Sequence, residues 1–162
     1  MFVYTLKLKA DQNQAHQLEK RFKMAQHIYK RTLGEIIKRT KKQQKDPLYK
    51  KAYILPKGKE RNQILKELDT KYDLKGQFTF SKYANDFRNT QDYAPYIPSD
   101  VAGKLGIRAW ETYSKVKFAK GAKKVNLHSE LTSFEAKGDN GLIIRNGILK
   151  MGTKHAKLEI PV

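Results

Sequence analysis

Apolar and polar residues alternate at the start of the chain. Phe2, Tyr4, Leu6 and Leu8 fall on one side of an extended segment, and Thr5, Lys7 and Lys9 fall on the other. A period of two is typical of a half-buried β-strand. The pattern therefore predicts a strand over residues 2–9.

After residue 10 the apolar positions change to a spacing of three or four. Between Leu18 and Ile37 they follow one face of a helix, and Asp11 or Asn13 can cap its first turn. The spacing predicts a long helix that ends near Lys42. Residues 38–61 are rich in lysine and contain the chain breakers Pro47, Pro56 and Gly58. This segment is predicted to be a basic, partly irregular connector.

Two more helices are predicted in the middle of the chain. The first is short, passes through Ile64 and Leu68, and ends before Gly76. The second starts at Ile97-Pro98-Ser99, where serine is a favoured cap, and ends at Gly121. Gly103 and Gly106 lie inside this second helix, and glycines at such positions indicate a close contact with another helix.

From Val125 onward the sequence is typical of short strands and turns. Asn146-Gly147 stands between two apolar runs, which is a strong signal for a hairpin with a type I′ turn, and residues 157–160 alternate again. A single N-terminal strand needs partners, so we expect it to pair with the C-terminal strands. The predicted fold class is α+β. Residues 1–10 and 122–162 are expected to form a small antiparallel β-barrel, with residues 11–121 inserted as a helical subdomain.

The charge of the chain points to a polyanionic partner. The 162 residues include 34 Lys and Arg against 16 Asp and Glu, a formal net charge of +18. Cysteine is absent, the four histidines stand far apart, and no phosphate-binding glycine loop occurs. We therefore expect no cofactor, no metal, no small-molecule substrate and no catalytic residue. A cytoplasmic, non-membrane protein that binds RNA or DNA fits this composition best.

The candidate binding residues are mostly lysines. Side chains of a type that reads base edges occur at Gln26, His27, Lys30, Asn85 and Asn89, and basic runs occur at 38–59 and 115–124. The predicted set is Gln26, His27, Lys30, Arg31, Lys38, Arg39, Lys41, Lys42, Lys50, Lys51, Lys57, Lys115, Lys117, Lys120, Lys123 and Lys124. For any single lysine, simple solvation of a helix face is the competing explanation. The aromatic residues between 78 and 96 are expected mainly in the core.

Three stretches resemble the N-terminal part of the TnpB family of transposon-encoded, RNA-guided DNA endonucleases, which is related to the type V CRISPR effectors. They are the opening strand Tyr4-Thr5-Leu6-Lys7-Leu8, residues 22–33 (FKMAQHIYKRTL), and Ile97-Pro98-Ser99 before a helix and a basic segment. The second is similar to the family's Phe-x-x-x-Arg-x-Val/Ile-Tyr-Asn-x-x-Leu pattern, although the Arg is missing and Lys30 stands in place of Asn.

The resemblance implies a wedge-like barrel and a helical recognition lobe. The family's RuvC nuclease has no counterpart here, because no Asp-x-Gly strand follows the predicted barrel, and a zinc ribbon would need cysteines. The resemblance therefore implies that the chain binds the guide RNA scaffold and the double-stranded DNA beside the target without cleaving it. One alternative is the first portion of a split, active nuclease whose partner is a separate nuclease chain. Another is a ribosome-associated RNA-binding protein, and an anionic membrane surface ranks last.

Overall fold

The computed structural model describes residues 7–118, 125, 130–133, 135–136, 141–153 and 156–162. The helices in these ranges are α1 (Gln12–Lys45), α2 (Pro47–Ile54), α3 (Lys59–Lys71), α4 (Gln77–Thr90) and α5 (Ser99–Phe118). The strands are β1 (Leu142–Arg145), β2 (Ile148–Met151) and β3 (Leu158–Pro161). No helix in these ranges has both the length and the apolar character that are needed to cross a bilayer.

Helix α1 begins at a capping box. The Asp11 carboxylate accepts the Gln14 backbone N–H at 2.7 Å, and the Gln14 side chain accepts the Asp11 backbone N–H at 2.9 Å. Both interactions satisfy N–H groups that have no partner within the helix. The predicted helix and its Asp11 cap are confirmed, and the helix continues to Lys45.

The segment 38–61 is more regular than the sequence analysis predicted. It contains the end of α1, all of α2 and the start of α3. Pro47 occupies the first turn of α2, where a missing N–H removes no hydrogen bond, so this proline starts a helix. Asp46 caps α2 by accepting the Leu48 backbone N–H at 2.9 Å.

The main core lies where α1, α4 and α5 meet. Phe80 of α4 is fully buried and stacks on Trp110 of α5, with ring centroids 5.2 Å apart. A Cβ atom at Gly106 would lie 2.8 Å from the Cα of Ser81 and would overlap the backbone of Phe80. The predicted close helix contact is confirmed, because at this point α5 touches the backbone of α4.

The C-terminal strands form one antiparallel sheet in the order β1-β2-β3. Asn146 and Gly147 connect β1 to β2 with φ values of +54° and +71°, as a type I′ turn requires, so the predicted hairpin is confirmed. The alternating residues near 158 form strand β3, so the strand predicted there is confirmed. The Lys9 backbone N–H donates to the Pro161 carbonyl at 2.8 Å, which brings the N-terminal segment beside the end of β3.

The predicted fold class is wrong. Of the residues that the structure describes, 64% are helical, and the three-stranded sheet that they contain is not closed into a barrel. Each of these strands is four residues long, and the sheet buries its apolar face against α1 instead of against itself. Leu18 and Phe22 of α1 line a 140 Å³ apolar cavity together with Leu142, Leu149, Met151, Leu158 and Ile160. Residues 2–6 of the predicted N-terminal strand, and residues 122–124 at the predicted domain boundary, lie outside the described residues.

Candidate nucleic-acid interface

One side of α1 carries most of its charge. The helix contains ten lysines and arginines but only Glu19 and Glu35 as acids, a net charge of 10 − 2 = +8. Its buried residues, among them Ala25, Ile28 and Leu33, recur on the opposite side and face the core. The helical period that builds the core therefore also places the remaining lysines toward solvent.

Two acids neutralise only part of this charge. Glu19 pairs with Lys23 at 2.7 Å, and the Lys23 ammonium lowers the pKa of that carboxyl. Glu35 contacts Arg39 at 3.0 Å and Lys38 at 3.8 Å. Apart from the buried Arg21, the α1 cations without an ion pair to any described carboxylate are Lys20, Lys30, Arg31, Lys41, Lys42 and Lys45. These six residues are termed the basic face of α1.

The C-terminal half of α1 has the highest density of these cations. Lys38, Lys41, Lys42 and Lys45 line a shallow groove together with Gly34 and Ile37. Gly34 has no neighbouring atom within 4 Å of the position that a Cβ would occupy, so nothing covers the helix at this point in the described structure. The groove is therefore open to a large ligand.

Arg39, a predicted binding residue, has a structural role. Its side chain is 20% exposed, and it contacts Glu35 at 3.0 Å and the Asp73 carboxylate at 2.7 Å. The guanidinium also lies 5.5 Å from the Phe80 ring centre and 5.6 Å from that of Tyr83. These contacts connect α1 to α4 and to the end of α3, which leaves Arg39 little capacity for a phosphate.

Arg21, on the basic side of α1 by sequence, is also structural. It is buried, and it donates to the carbonyls of Ala156 at 2.6 Å and Gln17 at 3.2 Å. Burial lowers its pKa. In α4, Arg88 similarly donates to the carbonyls of Ile97 and Ala94, and burial lowers the pKa of its guanidinium as well. Three arginines thus hold elements together, and the exposed cations are mainly lysines.

The segment 26–31 contacts α4 and a nearby loop. His27 lies 3.0 Å from the Tyr93 hydroxyl and meets the Phe87 ring edge-on at 5.1 Å, while Arg31 lies 6.0 Å from the centre of that ring. Gln26 accepts the Leu131 backbone N–H at 3.4 Å. His27 and Arg31 are exposed, and Lys30 is half-buried.

The other predicted residues belong to different elements. Lys50 and Lys51 of α2, Lys57 in the following turn and Lys115 of α5 are all exposed. Lys120, Lys123 and Lys124 lie outside the described residues, as does the side chain of Lys117. The structure thus brings Lys30, Arg31, Lys38, Lys41 and Lys42 together on α1. Lys50 and Lys51 of α2 and Lys57 of the turn that follows it form a second group, close in sequence.

The helices α2 and α3 form a hairpin that presents aromatic rings beside this second group. Ala52 and Leu68 are buried within it, whereas Tyr53 is 51% exposed and Ile54 is 86% exposed. The Tyr49 and Tyr53 rings are 4.7 Å apart, and burial raises the pKa of the Tyr49 hydroxyl to about 12. The Arg61 guanidinium lies 4.7 Å from the Tyr53 ring centre. Tyr49, Tyr53 and Arg61 are termed the hairpin stack.

Asp46 fixes this hairpin to the end of α1. Its carboxylate is 4% exposed and accepts hydrogen bonds from Lys71 at 2.7 Å, from the Leu48 N–H at 2.9 Å and from the Tyr72 hydroxyl at 2.8 Å. These donors lower its pKa to about 2. Gln43 of α1 also donates to the Asp69 carboxylate of α3 at 2.7 Å.

Sequence reasoning did not locate the hairpin stack or a polar crevice between α4 and α5. The crevice is lined by Phe78, Ser81, Asn85, Ser99, Asp100, Gly103, Lys104 and Ile107. Asn85 donates to the Ser81 carbonyl at 3.2 Å, and its own buried oxygen has no hydrogen-bond donor within the described residues. Gly103 was the available signal, since a Cβ there would lie 2.8 Å from the Ser81 hydroxyl.

Comparison of the chain with protein-family models, curated proteins and solved structures gives no match. Within the described residues, no group of three or more histidine, aspartate and glutamate side chains is placed to hold a metal ion. The geometry and charge of the surface are therefore the basis on which a function can be inferred.

Proposed function

We propose that this protein binds nucleic acid, with the basic face of α1 lying against the sugar-phosphate backbone. The observation that carries the proposal is the row of six cations without acidic partners on a helix of 34 residues. At 1.5 Å per residue, the row from Lys20 to Lys45 spans about 37 Å. This is close to one turn of B-form DNA, about 34–36 Å.

The choice of lysine supports a backbone contact. Lysine is a flexible point charge that neutralises phosphates without selecting a base, whereas arginine is better suited to paired hydrogen bonds with guanine. In this protein Arg21, Arg39 and Arg88 are engaged by internal acceptors. The exposed charge is thus of the kind that supplies affinity and contributes little sequence selectivity.

The resemblance to the TnpB family gives the proposal a more specific form. In that form the partners are a guide-type RNA and the double-stranded DNA beside its target, bound in the cytoplasm without cleavage.

A salt titration tests the general proposal. Each neutralised phosphate of duplex DNA contributes about −0.9 to the slope of log affinity against log salt, so six contacts give a slope near −5. Fluorescence anisotropy with a labelled duplex and a labelled RNA hairpin measures this slope. A slope flatter than about −2 for both probes would contradict the proposal.

Sequencing the nucleic acid that co-purifies with the protein tests the specific form. A transcript from the protein's own locus supports the TnpB-like interpretation, whereas ribosomal RNA supports the ribosome-associated alternative. Incubation of the complex with target duplex and Mg²⁺, followed by a denaturing gel, tests the expected absence of cleavage.

A further inference from the structure

The hairpin of α2 and α3 carries a second feature that the basic face of α1 lacks. Its surface combines positive charge with exposed aromatic rings. Tyr53 is half exposed, and its ring has two close neighbours in the same hairpin, the Tyr49 ring at 4.7 Å and the Arg61 guanidinium at 4.7 Å. A cation placed over an aromatic face is attracted by the ring. This attraction restrains the Arg61 guanidinium before any ligand binds.

This stack does not belong to the core. The buried contact between α2 and α3 is made by Ala52 and Leu68. Asp46 and Gln43 fix the base of the hairpin through Lys71, Tyr72 and Asp69. The hairpin is thus held without the half-exposed ring of Tyr53, which leaves that ring available to a ligand.

The charge around the stack favours a polyanion. Residues 47–61 contain Lys50, Lys51, Lys57, Lys59 and Arg61 against the single acid Glu60. None of these five cations forms an ion pair with a carboxylate of the described chain. A ligand that fits must therefore offer both negative charge and flat π surfaces.

We propose that the hairpin stack binds an unpaired base of a nucleic acid, while Lys50 and Lys51 contact the flanking phosphates. Unpaired bases of single strands, loops and bulges stack on aromatic rings and on arginine planes, and a base within a duplex is not accessible to such a platform. This inference rests on the proposed function and deepens it, because it adds a site that selects unpaired over paired nucleic acid.

A protein partner, including a second copy of this chain, fits the patch less well. Lysine is depleted from protein–protein interfaces, and the same hairpin and its turn carry Lys50, Lys51, Lys57 and Lys59, all of them exposed. A second copy would also bring an equally basic surface against it. Charge complementarity therefore selects the polyanion.

The test uses an oligonucleotide that carries the fluorescent base analogue 2-aminopurine, offered as a single strand and as the matching blunt duplex. The full chain is compared with Y53A, Y53F and R61K. We expect Y53A to weaken single-strand binding about tenfold and to leave duplex binding within about twofold. Y53F retains the ring and should bind as the unchanged protein does. R61K retains the charge but removes the plane, so it should lose part of the single-strand affinity.

The variant I54N is the matched control on the same hairpin. Ile54 is the most exposed apolar residue of the patch and is not part of the stack. We expect I54N to bind both probes unchanged, with 2-aminopurine quenching retained. Sedimentation of the unchanged protein and of I54N measures self-association in parallel.

Several results would overturn the inference. They are an unchanged single-strand affinity in Y53A, an equal loss on single strand and duplex, or a dimer that I54N disrupts. If the protein binds duplex with the predicted salt slope but Y53A binds single strand normally, the hairpin site is overturned. The proposal for the basic face of α1 is then unaffected. Failure of the unchanged protein to bind either probe overturns both proposals.

Discussion

The basic face of α1 and the hairpin of α2 and α3 are both strongly cationic, yet they differ in what surrounds the charge. On α1, Lys41, Lys42 and Lys45 lie beside Gly34 and Ile37 on an open helix surface. On the hairpin, Lys50 and Lys51 adjoin the exposed Tyr53 ring. Positive charge alone can bind any phosphate backbone, whereas positive charge beside an exposed aromatic ring can also bind an unpaired base.

The largest expected difference between the two regions is their response to salt. Raising the salt concentration from about 50 to about 200 mM should weaken duplex binding about a thousandfold, because six released counterions give a slope near −5. The ratio of single-strand affinities between the unchanged protein and Y53A should stay constant over that range, since stacking releases no counterions. Anisotropy at four salt concentrations checks both expectations. A ratio that falls with salt would show that Tyr53 acts through charge.

The next largest effect is expected at Gly106, where α5 touches α4 in the core that α1 also lines. In G106A the new methyl group meets the Phe80 backbone, which cannot rotate away as a side chain can. We expect a loss of about 3 kcal/mol in the free energy of unfolding, the upper end of the usual cost of overpacking. Urea unfolding followed by circular dichroism measures this loss. An unchanged midpoint would mean that α4 and α5 do not touch at this position.

A smaller effect is expected where the hairpin joins α1. The pKa of Asp46 is about 2 in the folded protein and near 3.8 in the unfolded chain. Its contribution to stability is therefore complete above the unfolded pKa and is lost as pH falls through about 2. D46N keeps an acceptor for the Leu48 N–H but loses the charge that attracts Lys71.

Unfolding measured at several pH values checks this expectation. The difference in unfolding free energy between the protein and D46N should be constant above about pH 5 and should shrink between about pH 4 and pH 2. A difference that is independent of pH would show that the Asp46 carboxylate is not the group held ionised by Lys71. D46N should also loosen the hairpin, so single-strand binding should suffer more than duplex binding.

The smallest effect is expected at Gly34, on the α1 side of the comparison. No atom lies within 4 Å of a Cβ built there, so G34A adds a methyl group without a clash. Alanine within a helix is more favourable than glycine by about 0.5–1 kcal/mol, and the unfolding free energy should rise by that amount. The salt slope should not change, because no cation is altered. A decrease in stability would mean that another group contacts the helix at this position.

Local chemistry decided which parts of the fold were predictable. The Asn146-Gly147 turn and the glycine contact at Gly106 depend on residues close in sequence or on one missing side chain, and both were predicted correctly. Asp11 is the cap of α1, one of the two residues that were expected there. The barrel was predicted wrongly, because closure depends on how many strands meet and on what covers them. Here the sheet packs on α1, a contact between residues more than a hundred positions apart that no period in the sequence reveals.

The same division applies to the candidate site. The basic run at 38–59 indicated Lys41 and Lys42 as candidate cations, and the structure shows both exposed on α1. The basic run could not separate Arg39 from them, since Asp73, the partner of Arg39, is 34 residues away along the chain. The hairpin stack was missed because Pro56 and Gly58 indicated an irregular connector, and only the folded hairpin brings Arg61 to Tyr53.

The most direct test of the central claim compares two triple variants with the same change in charge. K41Q/K42Q/K45Q removes half of the basic face of α1, and K66Q/K75Q/K82Q removes three exposed lysines that lie elsewhere and form no ion pair within the described structure. We predict that the first variant reduces the steepness of the duplex salt slope by about 3, from near −5 to near −2, while the control variant keeps the original slope. Equal slopes in the two variants would contradict the claim that α1 holds the phosphate backbone.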